Sequence, residues 1–263
     1  MKLLVLIPTY NTGAVLLAKT VTHALQYWPD VWVVVDGSTD GSEEAVIAML
    51  SHHPGLRLLQ QQPNGGKGTA VLLGTQEARL SGFTHVLTMD ADGQHPAKRI
   101  PAYAALSAAY PEALLLGCPQ FGDDAPALRV QGRKISNGWA NIETLGWGIG
   151  DSLFGMRVYP VEALLKGFAS TRYARRFDFD PEMAVRIAWQ GVPLLNVPTP
   201  VRYLTVAEGG VSQFRYLRDN SLLTWMHARL LVGFLLRLPL LLWRLLQGGN
   251  PLRRMQAKLT AGG

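Results

Sequence analysis

The chain holds a single cysteine, Cys118, among 263 residues. That excludes a disulfide framework and any cysteine-built zinc site, and makes a reducing, cytoplasmic setting the expectation. Charge is scarce as well, at 17% Asp, Glu, Lys and Arg against 48% hydrophobic residues, the reverse of a disordered chain. Glycine and proline, 27 and 16 residues, stay near average usage and exclude collagen-like and low-complexity classes.

Most of the chain also lacks a basic excess. Residues 1–214 hold 17 Lys and Arg against 18 Asp and Glu, whereas residues 215–263 hold 8 against 1. The overall +6 therefore belongs to the C-terminal segment and outlines no nucleic-acid groove, so no nucleic-acid partner is expected. A long apolar run is missing too. Arg229, Arg237 and Arg244 interrupt the leucine-rich residues 221–246, far short of the roughly 20 apolar residues a spanning helix needs. On a helical wheel the three arginines fall within a wedge of about 80°, with leucines filling most of the remainder. The expected arrangement is a helix lying in a membrane interface, its arginines toward the headgroups, with Trp225 and Trp243 suited to that site; a helix packed on the globular domain, or a dimerisation surface, is the alternative. Pro239 should kink or split it. Beyond it, Arg253, Arg254 and Lys258 add attraction to anionic lipid. At the other end, the apolar Leu3–Ile7 is too short for a signal peptide and reads as a buried first strand.

Short apolar runs at Leu3–Ile7, Val31–Val35, Leu56–Gln60, His85–Met89 and Ala113–Cys118 alternate with helix-compatible segments near 14–27, 42–52, 68–80 and 97–109. This rhythm predicts an α/β domain with a mostly parallel sheet flanked by helices. Residues 119–205 continue it, giving a domain over 1–214 and a basic amphipathic tail over 215–263.

Ligands of such sheets bind outside the carboxyl ends of the strands, where this chain places its polar residues. Strand one runs into Pro8-Thr9-Tyr10-Asn11, strand two into Asp36-Gly37-Ser38-Thr39-Asp40-Gly41, and strand four into Asp90-Ala91-Asp92-Gly93-Gln94-His95-Pro96. Asp90 and Asp92 at a strand exit suit a divalent cation shared with diphosphate oxygens, since Mg²⁺ and Mn²⁺ take oxygen ligands; a plain surface turn is the alternative. Lys67, between Gly66 and Gly68, is placed to offer its ammonium and backbone N–H groups to a diphosphate, unless the glycines simply make a turn. Asp178-Phe179-Asp180-Pro181-Glu182 opens a helix, with Pro181 in its first turn. His95 reads as a structural hydrogen-bonder, and Trp139, Trp147 and Trp189 as core.

Pro8–Asn11, Val35–Gly41, Asn64–Gly68 and Met89–Pro96 stand in the order and spacing of family 2 glycosyltransferases, and the sequence resembles that family from residue 3 to about 204. The Gly-Lys-Gly element and the Asp-Ala-Asp-Gly-Gln-His run are most similar to the polyprenyl- and dolichyl-phosphate sugar synthases. The resemblance implies a GT-A fold, a nucleotide-sugar donor, Mg²⁺ or Mn²⁺, and transfer with inversion. It further implies that Pro8, Tyr10 and Asn11 flank the nucleoside, that Asp36 contacts base or ribose, that Asp90 lies near ribose or metal, and that Asp92 is the principal metal ligand. An acidic residue before a helix serves that family as the base on the acceptor; Glu182 matches its place best and Asp180 next. The family commonly has two acidic residues where this chain has Val35-Asp36, which leaves the nucleotide base open.

A sugar hydroxyl benefits from a base when it attacks, but a phosphate monoester is already largely dianionic at neutral pH. For a phosphate acceptor, Arg157, Arg175 and Arg176 become the expected ligands, with Arg172 beside them. The expectation is a metal-dependent inverting glycosyltransferase on the cytoplasmic face of a membrane, peripheral or monotopic, moving sugar to a lipid-linked acceptor. Transfer to a saccharide or other hydroxyl, and a non-catalytic nucleotide-sugar-binding module, are the alternatives.

Overall fold

The computed structural model describes residues 1–121, 127–201 and 216–252, side chains at 127–129 and 216–217 aside. Strands β1 (Leu3–Thr9), β2 (Val31–Asp36), β3 (Leu56–Gln61), β4 (His85–Thr88), β5 (Leu114–Gln120), β6 (Arg157–Pro160) and β7 (Leu194–Pro200) form one sheet in the order β3-β2-β1-β4-β6-β5-β7. Only β6 runs antiparallel to its neighbours, so the expected mostly parallel GT-A sheet is what the chain builds. Helices α1 (Ala14–Tyr27), α2 (Ser42–Leu50), α3 (Lys67–Leu80), α4 (Ile100–Ala109), α5 (Ala127–Glu143), α6 (Val161–Ala169), α7 (Phe179–Trp189) and α8 (Tyr216–Leu246) accompany it.

The central strands are continuous apolar runs because both their faces are covered. Leu4, Leu6, Trp32, Val34 and Val86 point to one side, against α3, α6 and α7. Leu3, Val5, Ile7, Val31, Val33 and Leu87 point to the other, against α1, α2 and α4. From β1 the sheet grows one way through β2 and β3 and the other way through β4, which opens a crevice at the carboxyl ends of β1 and β4.

The C-terminal helix differs from expectation in two respects. It is not split at Pro239 but runs unbroken over Tyr216–Leu246. Its arginines also face the protein instead of headgroups. Arg229 pairs with Glu182, Arg237 stacks 4.6 Å from the Trp189 ring centroid, and Arg244 donates to the Trp189 carbonyl at 2.6 Å. A buried carboxylate and the carbonyls that end α7 supply the negative partners, as helix C-termini do for cations. Met226, Leu230, Phe234 and Leu241 of α8 belong to the core shared with α7. Leucines such as Leu235, Leu236 and Leu246 point outward instead. Among the described residues, no helix is long and apolar enough to cross a membrane. The 214/215 division and Arg253, Arg254 and Lys258 lie outside the described residues. Trp147 and Trp189 are core, as expected, but Trp139 is 40% exposed.

Candidate active site

At the carboxyl edge of the sheet, Lys67 bridges two carboxylates, Asp90 Oδ1 at 2.7 Å and Asp180 Oδ2 at 2.6 Å. The three residues come from the start of α3, the exit of β4 and the start of α7. Burial alone would depress the Lys67 ammonium, but the charges of Asp180 and Asp90 outweigh it and hold its pKa above the usual value. Burial likewise opposes the Asp90 charge, and Lys67 more than compensates, leaving that carboxyl below its usual range. Asp92 is raised, first by burial and then by the negative charge of Asp90. Its Oδ1 accepts the Gln94 N–H at 3.0 Å.

Two carboxylates thus meet one ammonium, with Asp92 close enough to Asp90 to feel its charge, and the negative surplus suits a divalent cation. Among the described residues, no group of three or more His, Cys, Asp or Glu side chains could hold a metal alone. Asp90 and Asp92 would therefore share such an ion with oxygens from elsewhere, the usual manner for Mg²⁺ beside phosphates. The Oδ1 of Asp180 is buried without a hydrogen-bond partner, a second sign of an acceptor site awaiting a donor. His95 is structural, as expected. Its Nδ1 accepts the Asp90 N–H at 2.9 Å, which fixes the proton on Nε2, 3.7 Å from Asp90 Oδ2.

Asp36 does not face an open pocket. Its Oδ1 accepts from Gln61 Nε2 at 3.0 Å and the Gly65 N–H at 2.8 Å; its Oδ2 accepts from Asn64 Nδ2 at 3.0 Å and the Gly66 N–H at 2.6 Å. Four donors leave little capacity for a base or ribose, so the carboxylate serves to hold the glycine loop that delivers Lys67. Gly66 needs its φ of +96° for that path, a region open to glycine. Pro8 is buried within β1, whereas Tyr10 beside it is 41% exposed. Asn11 ties two loops together, taking the Thr39 N–H on Oδ1 at 2.8 Å while its own N–H donates to Ser38 Oγ at 3.0 Å.

The acceptor-side expectations divide. Asp180 lies in the cluster; Glu182 does not. Glu182 is fully buried and bound by Arg186, Arg229 and Thr171, because two residues along a helix turn a side chain to a different face. Arg157 is fully buried too. Its guanidinium donates to the carbonyls of Phe154, Asp180 and Asp151, so it braces the start of α7 from behind and offers nothing to a phosphate. Arg175 is half-buried, 5.2 Å from the Phe168 ring centroid. Arg176 is exposed and donates to Asn64 Oδ1 at 3.3 Å, at the rim of the Lys67 loop.

Gly155 is a site residue that sequence reading missed. A Cβ there would stand 2.5 Å from Asp90 Oδ2 and 2.7 Å from Lys67 Nζ. Its carbonyl is held by Thr88 Oγ1 at 2.7 Å. The signal lay in the Phe154-Gly155-Met156 text before β6, which nothing local marked as close to β4.

The sheet, its crevice and the acidic cluster define a GT-A glycosyltransferase. The chain belongs to glycosyl transferase family 2, whose model matches residues 4–168. It is 27% identical over 212 residues to the undecaprenyl-phosphate mannosyltransferase of Micrococcus luteus, covering 75% of this chain and 82% of that one. It is 28% identical to the polyprenol monophosphomannose synthase of Mycolicibacterium smegmatis over 219 residues, 80% of each chain. The GT-A fold is shared with the glucosyl-3-phosphoglycerate synthase of Mycobacterium tuberculosis, solved with Mn²⁺, UDP-glucose and phosphoglyceric acid, at a TM-score of 0.58 and 17% identity over 89% of this chain and 79% of that one. It is shared too with a Pyrobaculum calidifontis mannosyltransferase solved with GDP-mannose and Mn²⁺, at 0.56 and 22% over 76% and 56%.

Proposed function

We propose that the chain transfers a hexose, with inversion, from a nucleotide diphosphate sugar to a polyprenyl-phosphate type of lipid at the cytoplasmic face of a membrane. The observation that carries this reading is the Lys67 bridge between Asp90 and Asp180, in a chain whose relatives are named for undecaprenyl-phosphate and polyprenol substrates. Lys67 is held protonated and faces the diphosphate side, while Asp180 stands on the acceptor side. Tyr10 and Asn11 flank the nucleoside at the end of β1. A divalent ion, Mg²⁺ or Mn²⁺, would be held by Asp92 and Asp90 and would neutralise the departing diphosphate.

A phosphate acceptor arrives already ionised, so it needs positioning more than a base. Arg176, exposed beside Asn64, is the cation available for it, with Arg175 behind. Were a hydroxyl the acceptor, Asp180 would be the base, since Glu182 is committed to two arginines.

The test is a panel of nucleotide sugars with Mg²⁺ or Mn²⁺, scored for radiolabel entering a lipid extract. Label in polyprenyl phosphate is expected, with loss of at least about a hundredfold in Asp92→Ala. Label entering only saccharide would move the acceptor to the hydroxyl class. Full transfer with excess chelator would remove the metal. Donor binding without turnover on any acceptor would make the chain a binding module.

A further inference from the structure

We propose that the outward face of α8, flanked by α5, is a surface that inserts into lipid and docks the chain on a bilayer by apolar contact, with its arginines serving as internal clamps. Between Ser221 and Leu246 every exposed residue is uncharged. From Ala228 onward the exposed positions are Ala, Val, Leu, Pro and one Trp. Leu236 and Leu246 are 77% and 85% exposed, extents that water opposes at roughly 25 cal/mol per Å² of apolar surface. Ile135, Trp139 and Ile142, spaced along one face of α5, are exposed as well, and Trp139 approaches His227 of α8 at 6.4 Å between ring centroids. α5 thus flanks α8 and adds exposed apolar side chains beside it, an arrangement unlike leucines exposed singly.

A bilayer suits this surface better than a second copy of the chain. Protein interfaces carry about one hydrogen bond per 100–200 Å², yet from Ala228 to Leu246 the only exposed polar side-chain group is the Trp243 indole. Trp225 and Trp243 stand about 27 Å apart along the helix, and an indole with an apolar body and one N–H suits the headgroup boundary. Arg229, Arg237 and Arg244 are engaged with Glu182, Trp189 and the end of α7; Arg218 at the start of α8 and Lys134 of α5 are exposed, but from Ser221 to Leu246 no exposed residue is a cation. Placement agrees. Arg229 meets Asp178 and Glu182 at the start of α7 while Arg244 meets its end, so the earlier part of α8 lies toward the end of α7 that carries Asp180. The surface therefore begins on the side where a lipid-borne acceptor would enter, and in that respect the inference rests on the lipid reading above.

The test is flotation of the full-length chain with vesicles of phosphatidylcholine alone, at about 0.1 M and about 1 M NaCl, without donor or acceptor. Flotation at both salts is expected. In the Leu235→Glu/Leu236→Glu double variant the bound fraction should fall at least about tenfold with an unchanged thermal midpoint, because both side chains lie outside the core. Phospholipids brominated on the acyl chain should quench tryptophan emission of the full-length chain, and the Trp139→Phe/Trp225→Phe/Trp243→Phe variant should lose that quenching. Binding confined to anionic vesicles and abolished by salt would overturn the proposal and assign attachment to basic residues past α8. A concentration-dependent dimer, dispersed by the double variant and indifferent to vesicles, would give the face to a second copy. Since no transfer is measured, flotation without lipid labelling sinks the acceptor alone, and lipid labelling in detergent without flotation sinks the docking surface alone.

Discussion

Arg229 of α8 grips Glu182 of α7 with both nitrogens, Nη1 to Oε1 at 3.2 Å and Nη2 to Oε2 at 3.0 Å. Arg186 shares the same Oε1 at 2.8 Å, and the Arg229 guanidinium lies 3.7 Å from the Tyr173 ring centroid. This pair joins the C-terminal helix to the helix whose first turn carries Asp180. It is a structural seam one helical step from the chemistry.

Removing one partner of a buried pair leaves an uncompensated charge, so Arg229→Met should destabilise the chain by about 3 kcal/mol, read from urea unfolding. Glu182→Gln should also lower stability, while a folded sample keeps turnover within about tenfold. Asp180→Asn should instead keep stability and lose at least about a hundredfold in turnover with a hydroxyl acceptor. A Glu182→Gln protein with native stability and no turnover would return the base role to Glu182.

Gly155→Ala should disturb the site more than the fold. The added methyl meets Asp90 Oδ2 and Lys67 Nζ at 2.5 and 2.7 Å, and the Thr88 hydrogen bond restrains the loop from yielding. The bridge must then open, at the modest expense typical of overpacking, about 1–3 kcal/mol. Calorimetric affinity for the nucleotide donor is expected to drop at least about tenfold. Unchanged affinity would show that the Lys67–Asp90 contact has no part in donor binding.

How far the sequence could be read follows from the reach of its signals. β1, β2 and β4 were visible because burial on both faces makes each an unbroken apolar run, and the polar residues at their exits marked the ligand edge. The saturation of Asp36 was invisible, since its donors lie 25 to 30 residues away along the chain. So was the Lys67–Asp180 contact, at a separation of 113 residues. Periodicity showed that Arg229, Arg237 and Arg244 share one side of a helix, yet it carries no sign for inward or outward. The buried Glu182 decides that, and only tertiary packing puts it opposite Arg229.

Cys118 should be nearly inert toward thiol reagents in the folded chain. Burial first, then the negative charge of Asp151, push its thiol up to about 12. At pH 8 the reactive thiolate is then on the order of one part in ten thousand. The reaction with Ellman's reagent should run at least about a hundredfold slower than in urea, where the thiol is near its ordinary value. Equal rates with and without urea would mean that the end of β5 is open to solvent.

Truncation after Asn220 should leave an insoluble protein, not a soluble nucleotide-binding domain. A detachable tail would contribute little to the core, but Met226 and Leu230 are fully buried, and Phe234 and Leu241 nearly so. Burying each such side chain contributes about 1.5–3 kcal/mol, and the four together rival the entire stability of a typical domain, about 5–15 kcal/mol. The truncation also strips Arg229 from Glu182 and His227 from the buried Glu143, which His227 meets at 2.9 Å. Burial already raises the Glu143 pKa, and without α8 its carboxyl would lose the His227 hydrogen bond. Solubility, thermal midpoint and donor binding of the truncated chain are the measurements. A soluble product that melts cooperatively and binds donor would show that α8 is an appendage to a domain complete without it.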